Sequence, residues 1–502
     1  MSSAFGFISG LLDRATSAKD ETKNESEPMN ASTSTYGSEE ADASTPKEAR
    51  SFFSWAAWND DEHLDAASRI HYLENAKYLL MTLVVWQHAL EDFLNTAVKI
   101  NAETLSVRKT KMDVLEPSLP WIRALYLTLG AFAMPLFTAI VGFQSKSWLD
   151  IAREHDIKAA GMLSRVRKST GALIGAWVLW QAIYIATKYV DVRPLQWWAP
   201  LNVTWFLLAL WIWRNSILLI GGMKDGIIYG LVCGLAIAVG FTDTPTMKNG
   251  HTFLDWQRVC TFALYFYVGA VFVKREHFDR VTTFIGNSSV RITTGIMGLG
   301  LVYGGFMLSD YLGEPFEEVS EWLFTQKPYG FTNWYHPILE CLWRILLFVG
   351  VAFCSVAFMC LVPRGEYFFT ELGSRTLTTY LLHRVFITLY FDVVSSMWDD
   401  DDIDVVSQIV IGVFVLPLIV SQVTLSRPVT QFVAPLIDPA SRVAGFAPWL
   451  FHTEMDTLAD RERDAREAAI LARPLTDSET EDDDEARDDD DTPAPAAEGV
   501  RF

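Results

Sequence analysis

Stretches of about the length and apolarity needed to cross a bilayer recur along this chain, and no other feature constrains its fold as strongly. A hydrocarbon core ~30 Å thick and a helical rise of ~1.5 Å per residue call for about 20 mostly apolar residues per span. Such stretches run approximately over 73–95, 119–143, 170–190, 203–221, 226–241, 256–274, 292–309, 338–362, 376–397 and 404–425. The fifth is short and Gly-rich, and the ninth carries His383, Arg384 and Asp392 within it. No internal repeat is visible. The expectation is an all-α membrane protein with about ten transmembrane helices.

The polar residues are segregated from these stretches. A formal net charge of −20 would suit a soluble acidic protein, but more than half of it falls after residue 451, where Asp482, Asp483, Asp484 and Asp488 to Asp491 cluster. A like-charge run with Pro, Ala and almost no aromatics cannot bury enough surface to offset the entropy of ordering it. Residues 452–502 are therefore predicted to be an acidic disordered tail and 1–68 a disordered polar N-terminal region. The membrane domain occupies 69–425, with a membrane-proximal segment at 426–451. The brief apolar opening from Phe5 to Leu12 lacks a basic start and a cleavage site, which argues against a removable signal peptide. No basic stripe suggests nucleic acid as a partner. Cys233, Cys260, Cys341, Cys354 and Cys360 fall in or beside apolar stretches without zinc spacing and read as packing residues.

Lysines and arginines in the short loops set orientation. With the N-terminus in the cytoplasm, Lys146, Arg153, Lys158, Arg165, Arg167 and Lys168 lie inside, as do those near residues 274–291. The main opposing group is Lys99, Arg108, Lys109 and Lys111 in one outer loop. The balance puts both termini of this integral, multi-pass protein in the cytoplasm.

Two residues of the first span could carry chemistry. Lys77 and His88 are eleven residues apart, hence ~16 Å apart along a helix axis and nearly on one face. A cation near one surface and an imidazole in the interior would line one groove, suited to a substrate with an anionic head and a reactive end. An imidazole inside an apolar stretch is expensive unless used or paired, so a hydrogen-bonded histidine filling the bundle core is the other reading.

The lysine, ten residues and a histidine resemble the first span of the membrane acyltransferase-3 family. Further matches follow in order. Met134-Pro135-Leu136-Phe137 through Val141-Gly142-Phe143 resembles its second span, and Arg165-Val166-Arg167-Lys168 its basic cluster. Trp205 to Leu210 resembles its fourth span, and Gly373 to His383 the approach to its penultimate one. The likeness covers roughly 69–425. It implies an acyltransferase-3-like bundle that moves an acyl group, typically acetyl from acetyl-CoA, to a hydroxyl of a carbohydrate or other acceptor. In that reading His88 is the general base, with a reference pKa of ~6.5 suited to the task. Lys77, Arg165 and Lys168 hold the phosphates of acyl-CoA at the cytoplasmic end. Lys77 and Lys168 stand where many members have Arg.

His383 is a second candidate, either a site residue or a structural partner of Asp392 or of a backbone carbonyl. Arg258 and Arg344 lie near span ends, where snorkelling accounts for them. The outer loop at 310–337 carries Trp322, Phe324, Tyr329, Phe331, Trp334 and Tyr335 among glutamates, a composition fit either for a sugar or for the membrane interface. No metal cluster, phosphate loop or nucleophile elbow is apparent. The competing readings are a transporter with an intramembrane Lys/His relay and a scaffold that has lost catalysis. Paired broken helices in related halves, expected of many transporters, are not seen.

Overall fold

The computed structural model describes residues 66–104, 119–153, 159–188, 199–242, 253–273, 288–312, 316–325, 328–329, 336–397, 409–437 and 439. Among the described residues every regular element is helical and no strand occurs. The helices are α1 (Ala66–Thr104), α2 (Leu119–Gln144), α3 (Lys146–Arg153), α4 (Ala159–Lys188), α5 (Trp205–Ile220), α6 (Asp225–Ala238), α7 (Trp256–Tyr267), α8 (Ser288–Tyr311), α9 (Phe316–Leu323), α10 (His336–Leu361), α11 (Thr376–Met397), α12 (Leu416–Leu425) and α13 (Arg427–Ile437). Wider turns at Val268–Phe272 and Ile409–Val415 extend α7 and precede α12. Apart from the first turn of α1, the predicted disordered ends at 1–68 and 452–502 lie outside the described residues, as do Phe331, Trp334 and Tyr335.

Helices stand in all ten predicted stretches, but they are not equally apolar. Six are long and apolar enough to cross a membrane: Pro120–Gln144, Arg165–Ala186, Asn202–Ile220, Ser288–Tyr311, His336–Leu361 and Thr370–Val394. A seventh is added if Ile409–Leu425 and Arg427–Ile437, bent by 71° at their junction, form one span. Among the described residues, length and composition thus support six or seven spans. Asp225–Phe241 is short for a span. The predicted first span, inside α1, falls outside the six because Glu74, Lys77, Glu91 and Asp92 interrupt it.

Backbone polar groups in an apolar medium must be satisfied internally, which selects helices. The large side chains of the core obey the same rule. Trp213 donates its indole N–H to the Val259 carbonyl at 3.0 Å, Tyr184 its hydroxyl to Leu381 at 2.7 Å and Tyr380 its hydroxyl to Val203 at 2.6 Å. Gln181 accepts from the Leu201 amide and the Thr204 hydroxyl and donates to the Ala199 carbonyl, tying α4 to the entry of α5. All five cysteines are free thiols, three of them buried, in keeping with a packing role. Ile296, Met297 and Leu301 of α8, with Trp343, Leu346 and Val349 of α10, are exposed apolar residues such as a lipid-facing surface carries.

The Val141-Gly142-Phe143 segment has a structural reason. A Cβ at Gly142 would lie 2.0 Å from the Phe266 carbonyl oxygen, and one at Gly269 would lie 1.8 Å from that of Ala139. The two backbones therefore meet at a close crossing that only small residues permit.

The direction of the central helices follows from cross-contacts. Asn75 and Thr370 are bonded at 2.7 Å, and Thr388 and Asp92 at 3.2 Å, so α1 and α11 run parallel. Parallel spans require an odd number of crossings between them, which the seven intervening predicted spans supply. Phe414, just before α12, packs on Trp86 late in α1 and on Trp121 at the start of α2, with centroids 5.7 Å and 6.1 Å away. Gln422 of α12 meets the Tyr78 hydroxyl early in α1. Gln422 and Phe414 thus set α12 antiparallel to α1, and so is α2, because Phe132, further along it, stacks on Phe358 at 5.1 Å beside the Met359 carbonyl that accepts from Tyr72 at 2.6 Å; the far end of α2 lies toward the Lys77 end of α1.

Candidate active site

The sequence His88-Ala-Leu-Glu91-Asp92 places a carboxylate three residues after the imidazole, on the same helical face. In α1 the His88 Nδ1 lies 2.8 Å from Glu91 Oε2 and 3.3 Å from Arg384 Nη1. A nitrogen that donates to a carboxylate cannot also accept from a guanidinium. The shorter contact assigns the proton to Nδ1, donating to Glu91, and leaves the lone pair on Nε2. The His88 side chain retains 23% of its exposure, so a small molecule can reach the ring.

Arg384, on α11, fixes this arrangement from across the helix pair. Its Nη1 donates to Glu91 Oε2 at 3.2 Å and faces the His88 carbonyl at 3.5 Å, while Nη2 lies 3.0 Å from Asp92 Oδ1. Thr388 completes the shell of Asp92 by donating to Oδ2. Two adjacent carboxylates of α1 are thus bound by one guanidinium that is itself largely enclosed, with 12% of its side chain exposed.

His383 sits beside this network. Its ring centroid is 5.2 Å from that of His88, and the residue is fully buried. Nδ1 lies 2.8 Å from the Thr379 carbonyl, which can only accept, so Nδ1 carries the proton. Nε2 is buried with no hydrogen-bond partner among the described residues. Of the structural partners expected for His383, the backbone carbonyl is the one that Nδ1 uses.

A family model described as an acyltransferase domain, that of acyltransferase-3, matches residues 70–424, from the first turns of α1 to the end of α12. The chain belongs to the acyltransferase-3 family. With its several apolar helices it is a multi-span membrane acyltransferase. No curated protein and no solved structure gives a significant match.

The other residues singled out from the acyltransferase-3 resemblance lie at the opposite end of α1. Lys77 is buried and forms an ion pair with Glu74 at 2.7 Å. Gly373 lets the turn before α11 close over that pair, since a Cβ there would lie 2.2 Å from the Glu74 carbonyl oxygen. Arg165 donates from Nη1 to the Ser147 hydroxyl at 3.1 Å and lies 5.9 Å from the Trp148 ring. Lys168 is exposed. Arg214, not anticipated, donates to the Ser145 hydroxyl at 3.2 Å one residue before Lys146. Because α2 is antiparallel to α1, Ser145, Ser147 and the arginines on them lie toward the Lys77 end. The three predicted cations lie toward that end, and Lys77 and Arg165 each have a partner of their own there.

Two expectations for this acyltransferase-3 chain need correction. Arg344 does not snorkel: it is fully buried, with its guanidinium 4.6 Å from the Tyr329 ring and 5.7 Å from that of Trp322. Arg258 is also held inward, over Trp205 at 4.9 Å and paired with Asp255 at 3.0 Å. The described aromatics of the outer loop pack on the bundle. Tyr329 stacks on Trp322 and donates its hydroxyl to the Ile237 carbonyl at 3.0 Å, and burial pushes its phenol up to about 12. Phe324 and Phe316 meet Tyr126 at 5.5 Å and 5.8 Å.

Proposed function

We propose that this acyltransferase moves an acyl group, acetyl foremost, from acyl-CoA to a hydroxyl of a carbohydrate or other acceptor, with His88 as general base. The observation that carries the reading is the 2.8 Å contact of His88 Nδ1 with Glu91, which leaves Nε2 free to accept a proton. The acceptor hydroxyl gives its proton to Nε2 as its oxygen attacks the thioester carbonyl. The C–S bond breaks, and the proton on Nε2 passes to the departing sulfur. Glu91 holds the ring in the required tautomer and stabilises the imidazolium formed, the role a carboxylate has behind a catalytic histidine. His383, whose buried Nε2 has no partner among the described residues, is a second residue of the site beside His88.

Lys77, Arg165 and Lys168 bind the phosphates of the donor. Lys77 and His88 are separated by ~16 Å along the helix, so a donor anchored at the inner end would extend its thioester toward the base. A phosphate at Lys77 shares that cation with Glu74. The lysine and arginine distribution supports an inner end facing the cytoplasm and both termini there. The decisive experiment is His88→Ala: transfer is lost while expression and folding persist, because no large apolar side chain is removed. General-base removal commonly costs 10²–10⁴-fold. A loss below about threefold overturns the assignment.

A further inference from the structure

A base must be unprotonated before it acts, and two carboxylates stand close to His88. Glu91 and Asp92 are adjacent carboxylates within one helical turn of the imidazole, and anions beside an imidazole favour its protonated form. An imidazolium has no lone pair on Nε2. We propose that Arg384 is the positioning residue that keeps His88 a free base, by binding both carboxylates at once and placing its own cation against the ring. The inference rests on His88 as the base.

The geometry is specific. One guanidinium nitrogen serves Glu91 at 3.2 Å and stands 3.3 Å from His88 Nδ1, and the second serves Asp92 at 3.0 Å. A proton added at Nε2 would put positive charge on a ring whose Nδ1 already stands 3.3 Å from an enclosed cation. The planar fork of arginine can address two neighbouring carboxylates together, whereas the point charge of lysine cannot do so with the same geometry. The other groups facing this cluster do not replace it. Arg258 of α7 lies within electrostatic reach of Glu91 but is paired with Asp255. From α2 comes the phenol of Tyr126 and from α4 that of Tyr184, whose hydroxyl is bonded to the Leu381 carbonyl. α11 also supplies His383, bonded to Thr379, and Thr388, bonded to Asp92.

The test needs no acceptor. Diethyl pyrocarbonate acylates only neutral imidazole, and the ring nitrogen gains an ethoxycarbonyl group as carbon dioxide and ethanol leave. The full chain in phosphatidylcholine nanodiscs is treated across the range in which imidazole titrates, about pH 5 to 8, and the mass of the His88 peptide gives the rate. Arg384→Gln should slow modification of His88 at a given pH, so that a higher pH is needed for the same reactivity. Asp92→Asn, which keeps Arg384, should move the curve the other way, and the charge-balanced double variant should return it toward wild type. Arg384→Lys, which keeps the charge but not the planar fork, should fall between wild type and Arg384→Gln both in the curve and in acetyl transfer from acetyl-CoA. An unmoved curve in both Arg384→Gln and Asp92→Asn overturns the proposal. Retained transfer in His88→Ala would instead overturn the base assignment and leave the reactivity curves standing, so the two failures are distinguishable.

Discussion

Replacing Glu91 by Gln isolates the contact on which the mechanism turns. The substitution keeps the size of the side chain but removes the charge from the group that accepts the His88 Nδ1 proton at 2.8 Å. A hydrogen bond to a charged group contributes about 1.5–3 kcal/mol. At 1.36 kcal/mol per tenfold in rate, losing it in the transition state lowers turnover by about 10- to 150-fold. The amide adds a second effect, since its N–H can donate to Nδ1 and drive the proton to Nε2, the wrong tautomer for a base. Arg384 keeps Asp92 as a partner at 3.0 Å, so the helix pair should stay joined and the protein folded. The assay is thiol release from acetyl-CoA under single-turnover conditions in nanodiscs, with thermal unfolding as the folding control. The loss should fall on the turnover step and leave the apparent KM for the donor close to wild type. A Glu91→Gln protein within threefold of wild type, beside an inactive His88→Ala protein, would refute the orienting role.

Replacing Lys77, Arg165 and Lys168 together by Gln should raise the apparent KM for acyl-CoA more than that for the acceptor, while Lys168→Arg should be mild; equal acyl-CoA binding by the triple variant would show the donor site to be misplaced. Gly142→Ala should destabilise the bundle by about 1–3 kcal/mol through overpacking, because its Cβ would lie 2.0 Å from the Phe266 carbonyl oxygen; an unchanged unfolding temperature would mean that the α2 crossing can open at no cost. Both termini should be protected from protease in sealed vesicles with the cytoplasmic face inside, and cleavage of the acidic tail from outside would reverse the orientation.

The long apolar helices were legible because bilayer thickness sets a length that their sequences meet, and His88 stood out as an imidazole within an apolar stretch. Its partners did not stand out. Glu91 and Asp92 lie within the last turns of the predicted first span, and only the fold shows that they turn inward to Arg384, 293 residues from Glu91 along the chain. The His88 to Glu91 spacing was a usable signal, since groups three apart on a helix meet. Arg384 offered none beyond its place in an apolar stretch, because its partners are set by the packing of α11 on α1. Arg344 misled for the same reason. A cation near a span end ordinarily reaches for water, but here Trp322 and Tyr329 fold over it from the preceding segment. Lys77 was found, yet its pairing with Glu74, three residues earlier, was overlooked although the spacing was equally plain.

The most direct measurement supplies isotopically labelled acetyl-CoA to membranes carrying the wild-type chain or the His88→Ala variant, then follows label into glycans and lipids by mass spectrometry. Label in an oxygen-linked acetyl ester with the wild-type chain, and its loss in the variant at equal protein level, is the expected result. Equal labelling by both proteins, or no acyl-CoA binding by the wild-type chain, would contradict transfer from acyl-CoA with His88 as the base.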